Sequence, residues 1–102
     1  MMPINVLLSG RLRIDGYGQG HALREDGTFR LWVRHQSTVT EVIQGLGVPA
    51  ERVAMVMLNG RQCNASATLK QGDRVVLVPD DVASLWRALG RSNLGLGIGY
   101  DS

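Results

Sequence analysis

Between Ile4 and Ile14 the even positions read Ile4, Val6, Leu8, Gly10, Leu12 and Ile14, and the odd positions Asn5, Leu7, Ser9, Arg11 and Arg13. Alternation of this length predicts a strand with one buried face, because successive strand side chains point to opposite sides. Thr28 to Arg34 alternates in the same way, with Phe29, Leu31 and Val33 on one side and Arg30, Trp32 and Arg34 on the other. This is the expected partner strand. The stretch between them, DGYGQGHALREDG, is glycine-rich and lacks periodicity, which predicts a long, mobile hairpin loop.

The period then changes. Val39, Val42, Ile43 and Leu46 stand at i, i+3, i+4 and i+7, the spacing of one helical face. Thr38 with Glu41 makes a capping box, Gly47 suits the left-handed C-terminal position, and Pro49 blocks continuation. The unbroken apolar run VAMVML, Val53 to Leu58, predicts a central buried strand. It is closed by Asn59-Gly60, which suits a type I′ hairpin because both residues tolerate positive φ. A short return strand is expected around Arg61 to Cys63. Gly72-Asp73 then turns the chain into RVVLVP, a last strand ended by Pro79.

Beyond Pro79, helical spacing returns at Val82, Leu85, Trp86 and Leu89, between the capping pair Asp80-Asp81 and Gly90. So short a helix is unstable alone, because nucleation is costly. It is therefore expected to dock, with Trp86 packed on the sheet. Gly95, Gly97 and Gly99 alternate with apolar residues in GLGIGYDS, which reads as a flexible tail.

The chain has 102 residues, 44% of them apolar and 20% charged, enough for one modest core and too few for two. Residues 1–79 read as the domain and 80–102 as a C-terminal extension. The formal net charge is +2, and residues 1–79 carry nine Arg and Lys against six Asp and Glu. A basic excess of that size permits nucleic acid or an acidic partner and requires neither. The lone cysteine, Cys63, excludes an internal disulfide and a Cys-rich metal site. The Met-Met-Pro start carries no signal-peptide run and no segment could span a membrane, so the expectation is a cytoplasmic protein without membrane partners.

LGVPAERVAMVMLNGR, followed by TLKQGDRVVLVP, resembles the ubiquitin-like β-grasp family that includes the small subunit of molybdopterin synthase and the thiamine sulfur carrier. The resemblance covers residues 4–79 and rests on Leu46-Gly47-Val48-Pro49 after the helix, the Asn59-Gly60 hairpin, and Leu69 with Gly72-Asp73 before the last strand. It implies an α+β, ubiquitin-like β-grasp: a mixed sheet of four to five strands crossed by one helix, here with a short C-terminal helix added. It also implies sulfur delivery, in which an adenylating enzyme activates the C-terminal carboxylate. The resulting thiocarboxylate then enters a second enzyme of cofactor biosynthesis.

The family's chemistry favours a Gly-Gly end, which has no side chain to hinder the acyl carbon. In this chain 23 residues follow Pro79, no Gly-Gly pair occurs, and the last residues are Asp101 and Ser102. The expectation is that the 102-residue chain, incubated with ATP, a sulfur donor and an adenylating enzyme, shows no oxygen-to-sulfur gain in intact mass. Such a gain only on a species trimmed to Gly95, Gly97 or Gly99 would identify the tail as a removable block.

Three functions stay open. The first is a protein-binding module that uses the outer sheet face, with Arg11, Arg13, Arg30, Trp32 and Arg34, together with Trp86 of the extension. The extension could cap that face, extend it, or exchange between protomers of a dimer. The second is a sulfur carrier with an adenylating or cofactor-biosynthesis enzyme as partner. The third is an RNA-binding module in which the arginines meet phosphates and Trp32 stacks on a base. The residues point away from an enzyme. His21 and His35 are set by no motif beside Cys63, and Gly16, Gly18 and Gly20 lack the following helix and Lys-Ser/Thr of a phosphate loop. No catalytic residue, metal ligand or cofactor is assigned.

Overall fold

The computed structural model describes residues 1–18 and 20–85. Five strands form one sheet in the order β2-β1-β5-β3-β4: β1 Met2–Leu8, β2 Phe29–Val33, β3 Met55–Leu58, β4 Arg61–Cys63 and β5 Arg74–Val78. β1 pairs antiparallel with β2 and parallel with β5, and β3 pairs antiparallel with both β4 and β5. A helix, α2 (Val39–Gly45), supplies the core's second layer with Val39, Val42 and Ile43. This is the α+β, ubiquitin-like β-grasp architecture.

The alternation of β1 works as expected: Met2, Ile4, Val6 and Leu8 are buried and the residues between them half-buried. Phe29, Val56, Val75 and Leu77 extend the buried layer from the neighbouring strands. Each such side chain, moved fully out of water, contributes roughly 1.5–3 kcal/mol. The capping box forms as expected, with Thr38 N–H donating to Glu41 Oε1 at 2.8 Å and Glu41 N–H donating to Thr38 Oγ1 at 3.3 Å. Thr38→Ala should therefore lower stability by about 1 kcal/mol, read as a lower denaturant midpoint with an unchanged slope. Asn59 (φ 52°) and Gly60 (φ 85°) both adopt the left-handed backbone that the hairpin needs.

Three expectations are corrected. First, the strand predicted over Ile4–Ile14 stops at Leu8, and residues Arg11–Ile14 form a short helix, α1. The cause is Gly10, whose φ of 54° and ψ of −134° turn the chain out of the sheet. Leu12 then enters the core from a helical turn, whereas Ile14 is 77% exposed.

Second, the segment after α1 is tethered. Arg52 pairs with Asp15, donates to Tyr17 Oη at 3.2 Å and lies over the Tyr17 ring. His21 stacks on Phe29 with ring centroids 4.7 Å apart. Asp26 accepts from the backbone N–H and hydroxyl of buried Thr28. Third, the VAMVML strand is interior but not central. β5 holds the middle, and only Val56 of β3 is buried while Met55, Met57 and Leu58 are half-buried.

Candidate partner-binding face

α2 covers one side of the sheet, so the registers define what the other side carries. At one end Trp32 lies opposite Pro3. In the next row Asn5 stands between Arg30 of β2 and Arg74 of β5. The row after that joins Leu7, Val76 and Met57, with Gln62 beyond on β4. Val78 and Met55 follow. Side chains directly opposite one another and of the same parity share a face, so this outer face consists of a basic row flanked by apolar ones. Leu7, Met55, Met57 and Val76 are half-buried, and Trp32 is 55% exposed.

The arginines expected here are divided. Arg30 lies on the outer face beside Trp32. Arg11 and Arg13 are not strand residues: both sit in α1, past the Gly10 turn, where Arg11 pairs with Asp15, while the Arg13 guanidinium reaches the Gly27 position that also meets Leu7 of the outer face. Arg34 follows the end of β2 and lines a groove between β2 and α2. The nucleic-acid reading needed these four on one face, and the strand geometry that would align them is absent among the described residues. Arg24 and Arg74 were missed. Arg24 donates to Asn5 Oδ1 and brings a further cation to the basic row. Neither residue stands in a run that the alternation of β1 and β2 could single out.

Helix 80–85 starts directly after β5 and tucks against Gly10, where a Cβ would stand 2.5 Å from Val82 Cγ2. Ala83 and Val78 are fully buried. This helix begins at the Leu8 end of β1, whereas Trp32 pairs with Pro3 at the other end. Trp86, Gly95, Gly97 and Gly99 lie outside the described residues.

His21 and Cys63 line separate cavities, of about 380 and 330 Å³, while His35 is exposed beyond β2. Among the described residues, no three or more His, Cys, Asp or Glu side chains gather as a metal site, and no helix is long and apolar enough to cross a membrane. Burial pushes the Cys63 thiol above its ordinary pKa. Since the thiolate is the reactive form, Cys63 should be alkylated by iodoacetamide more slowly in the native chain than in the urea-unfolded chain at the same mildly alkaline pH. Equal rates would show that burial does not protect the thiol, and a faster native rate would show an activated one.

Three solved structures share the fold. Small archaeal modifier protein 1 of H. volcanii superposes with a TM-score of 0.57 at 18% identity, over 78% of this chain and 98% of that one. A putative molybdopterin converting factor subunit 1 from Pyrococcus furiosus gives 0.57 at 17% identity, over 78% and 98%. A Haloferax volcanii protein solved in solution gives 0.58 at 22%, over 76% and 82%. No curated protein matches the chain. The family model described as Mut7-C ubiquitin matches residues 21–84, running from the tethered segment through β2, α2 and β5 into the helix after Pro79. With more than half of its length under that model, and with the β-grasp topology to match, the chain belongs to the Mut7-C ubiquitin family.

Proposed function

We propose that this ubiquitin-like chain acts as a protein-binding module that presents the outer face of its sheet to an acidic, partly apolar protein surface. The observation that carries the reading is the row Leu7, Val76 and Met57, left half-buried beside the cations Arg24, Arg30 and Arg74. An ordinary solvated strand face alternates polar residues outward. An apolar row rimmed by charge is the composition of an interface. The fold shared with small modifier and converting-factor proteins is consistent with a partner-directed role, although a fold alone does not assign one.

The test places a photo-crosslinking amino acid at Gln62 and, separately, at Asn5, in the chain expressed in its own host, and identifies the adducts by mass spectrometry. One protein captured from both positions, and lost when Met57→Arg is added, is the expected result. Capture that is indifferent to Met57→Arg, or different proteins at the two positions, would refute the outer face as a docking surface.

A further inference from the structure

We infer that the free edge of β2, with the groove between it and α2, binds an extended apolar peptide segment with acidic flanks by adding it to the sheet as a further strand. β2 ends the strand order and pairs only with β1. In an antiparallel pair every second residue turns its N–H and C=O away from the partner. The outer edge of Phe29–Val33 therefore offers a row of backbone donors and acceptors that an incoming strand can satisfy.

Beside that edge runs a groove of about 560 Å³, to which Leu31, Val33 and Val42 contribute apolar surface. Trp32 also lines it and is 55% exposed. An added strand would turn alternate side chains toward Leu31, Val33 and α2, and the intervening ones toward Trp32.

Charge selects among apolar segments. Arg30 and Arg34 are exposed and form no ion pair among the described residues. The acid lining the groove, Glu41, already accepts the Thr38 N–H in the capping box. The unanswered charge at this edge is therefore positive, and acidic residues flanking the apolar segment complement it. Arginines on an edge strand also discourage unwanted pairing, but that role does not require an apolar groove beside them. The opposite edge, β4, is three residues long and offers a much shorter template. This site goes beyond the outer-face reading, since the two surfaces share only Arg30 and Trp32.

The probe is a synthetic peptide of Val and Ile flanked on both sides by Asp, titrated into the isotope-labelled full chain and followed by amide chemical shifts. Saturable shifts confined to residues 29–34 and α2, with Kd below about 1 mM, are expected. Peptides N-methylated on alternate amides should divide into a set that binds and a set weakened at least tenfold, because only one set of N–H groups meets the sheet.

Gly45 lines the groove, and a Cβ there meets nothing within 4 Å. Gly45→Trp should therefore fold, fill the groove and weaken binding at least tenfold. Arg34→Glu should weaken the Asp-flanked peptide and not a Lys-flanked one. Met57→Arg, on the outer face, should leave peptide affinity unchanged, so failure here and failure of the outer-face reading are distinguishable. The inference is overturned by shifts centred on residues 55–63, by equal affinity of both N-methylated sets, or by no saturation at millimolar peptide. Concentration-dependent shifts of β2 in the peptide-free chain would overturn it too, by showing a second copy at the edge.

Discussion

Leu12→Ala should destabilise the domain by about 2–5 kcal/mol, the range for truncating a buried leucine, whereas Ile14→Ala should leave stability within about 0.5 kcal/mol. Two residues apart on a strand, these side chains would share a face and cost similar amounts. On α1 they do not: Leu12 is fully buried and Ile14 is 77% exposed. At roughly 4–8 °C per kcal/mol for a small domain, thermal melts of the two variants separate the geometries without ambiguity. Comparable losses would mean that β1 continues through residue 14. The Leu12 value also reports how far the core can relax around a missing side chain, since a site that cannot collapse sits at the upper end of the range.

Gly10→Ala should cost a similar amount, for reasons of backbone and packing together. At φ 54° and ψ −134° an L-residue is held in a region nearly reserved for glycine, a strain of about 1–3 kcal/mol. The added methyl would also stand 2.5 Å from Val82 Cγ2 and 3.1 Å from Pro79 Cγ, and overpacking of this kind costs about 1–3 kcal/mol more. The two contributions separate by experiment. Val82→Ala in the Gly10→Ala background removes the closest clash and should recover part of the loss, leaving the backbone part. No recovery would mean that helix 80–85 does not press on Gly10. An unchanged melting temperature for Gly10→Ala alone would mean that the turn is not where β1 ends.

These positions also mark how far the fold was legible in the sequence. α2 could be read completely because its signals are local: the apolar spacing, the Thr38 and Glu41 box and the Gly47 stop all act within a few residues of one another. Asn59-Gly60 and Gly72-Asp73 were readable as turns for the same reason. The link between them was not. Asn59 donates to Asp73 Oδ1 at 2.9 Å and accepts the Arg74 N–H at 2.8 Å, a contact that depends on β3 pairing with β5.

The end of β1 escaped because Leu8 and Leu12 suit both a period of two and a helical step of four. Only the conformation of Gly10 decides between them. The outer face escaped for a related reason. An unbroken apolar run says that both faces of a strand carry apolar groups, but not whether anything covers the second face. Arg30 and Trp32 were found by alternation on a single strand, whereas Leu7, Val76 and Met57 form a row only once three strands are set in register.

The parallel pairing of β1 with β5 has a consequence for biosynthesis. Ser9 donates both its backbone N–H and its hydroxyl to Leu77 O, 68 positions further along the chain, so the middle of the sheet joins its first strand to its last. During translation the hairpin of β1 and β2 can pair early, yet the edge that β5 will occupy stays open until residue 78 has left the ribosome. Loop closure over that span has to precede the contacts that reward it, which slows folding relative to helical domains of the same size. A chain halted after β4 would present Ile4, Val6 and Leu8 beside an unfilled strand position. Such a truncated product is a substrate for chaperones and proteases, not a smaller working domain.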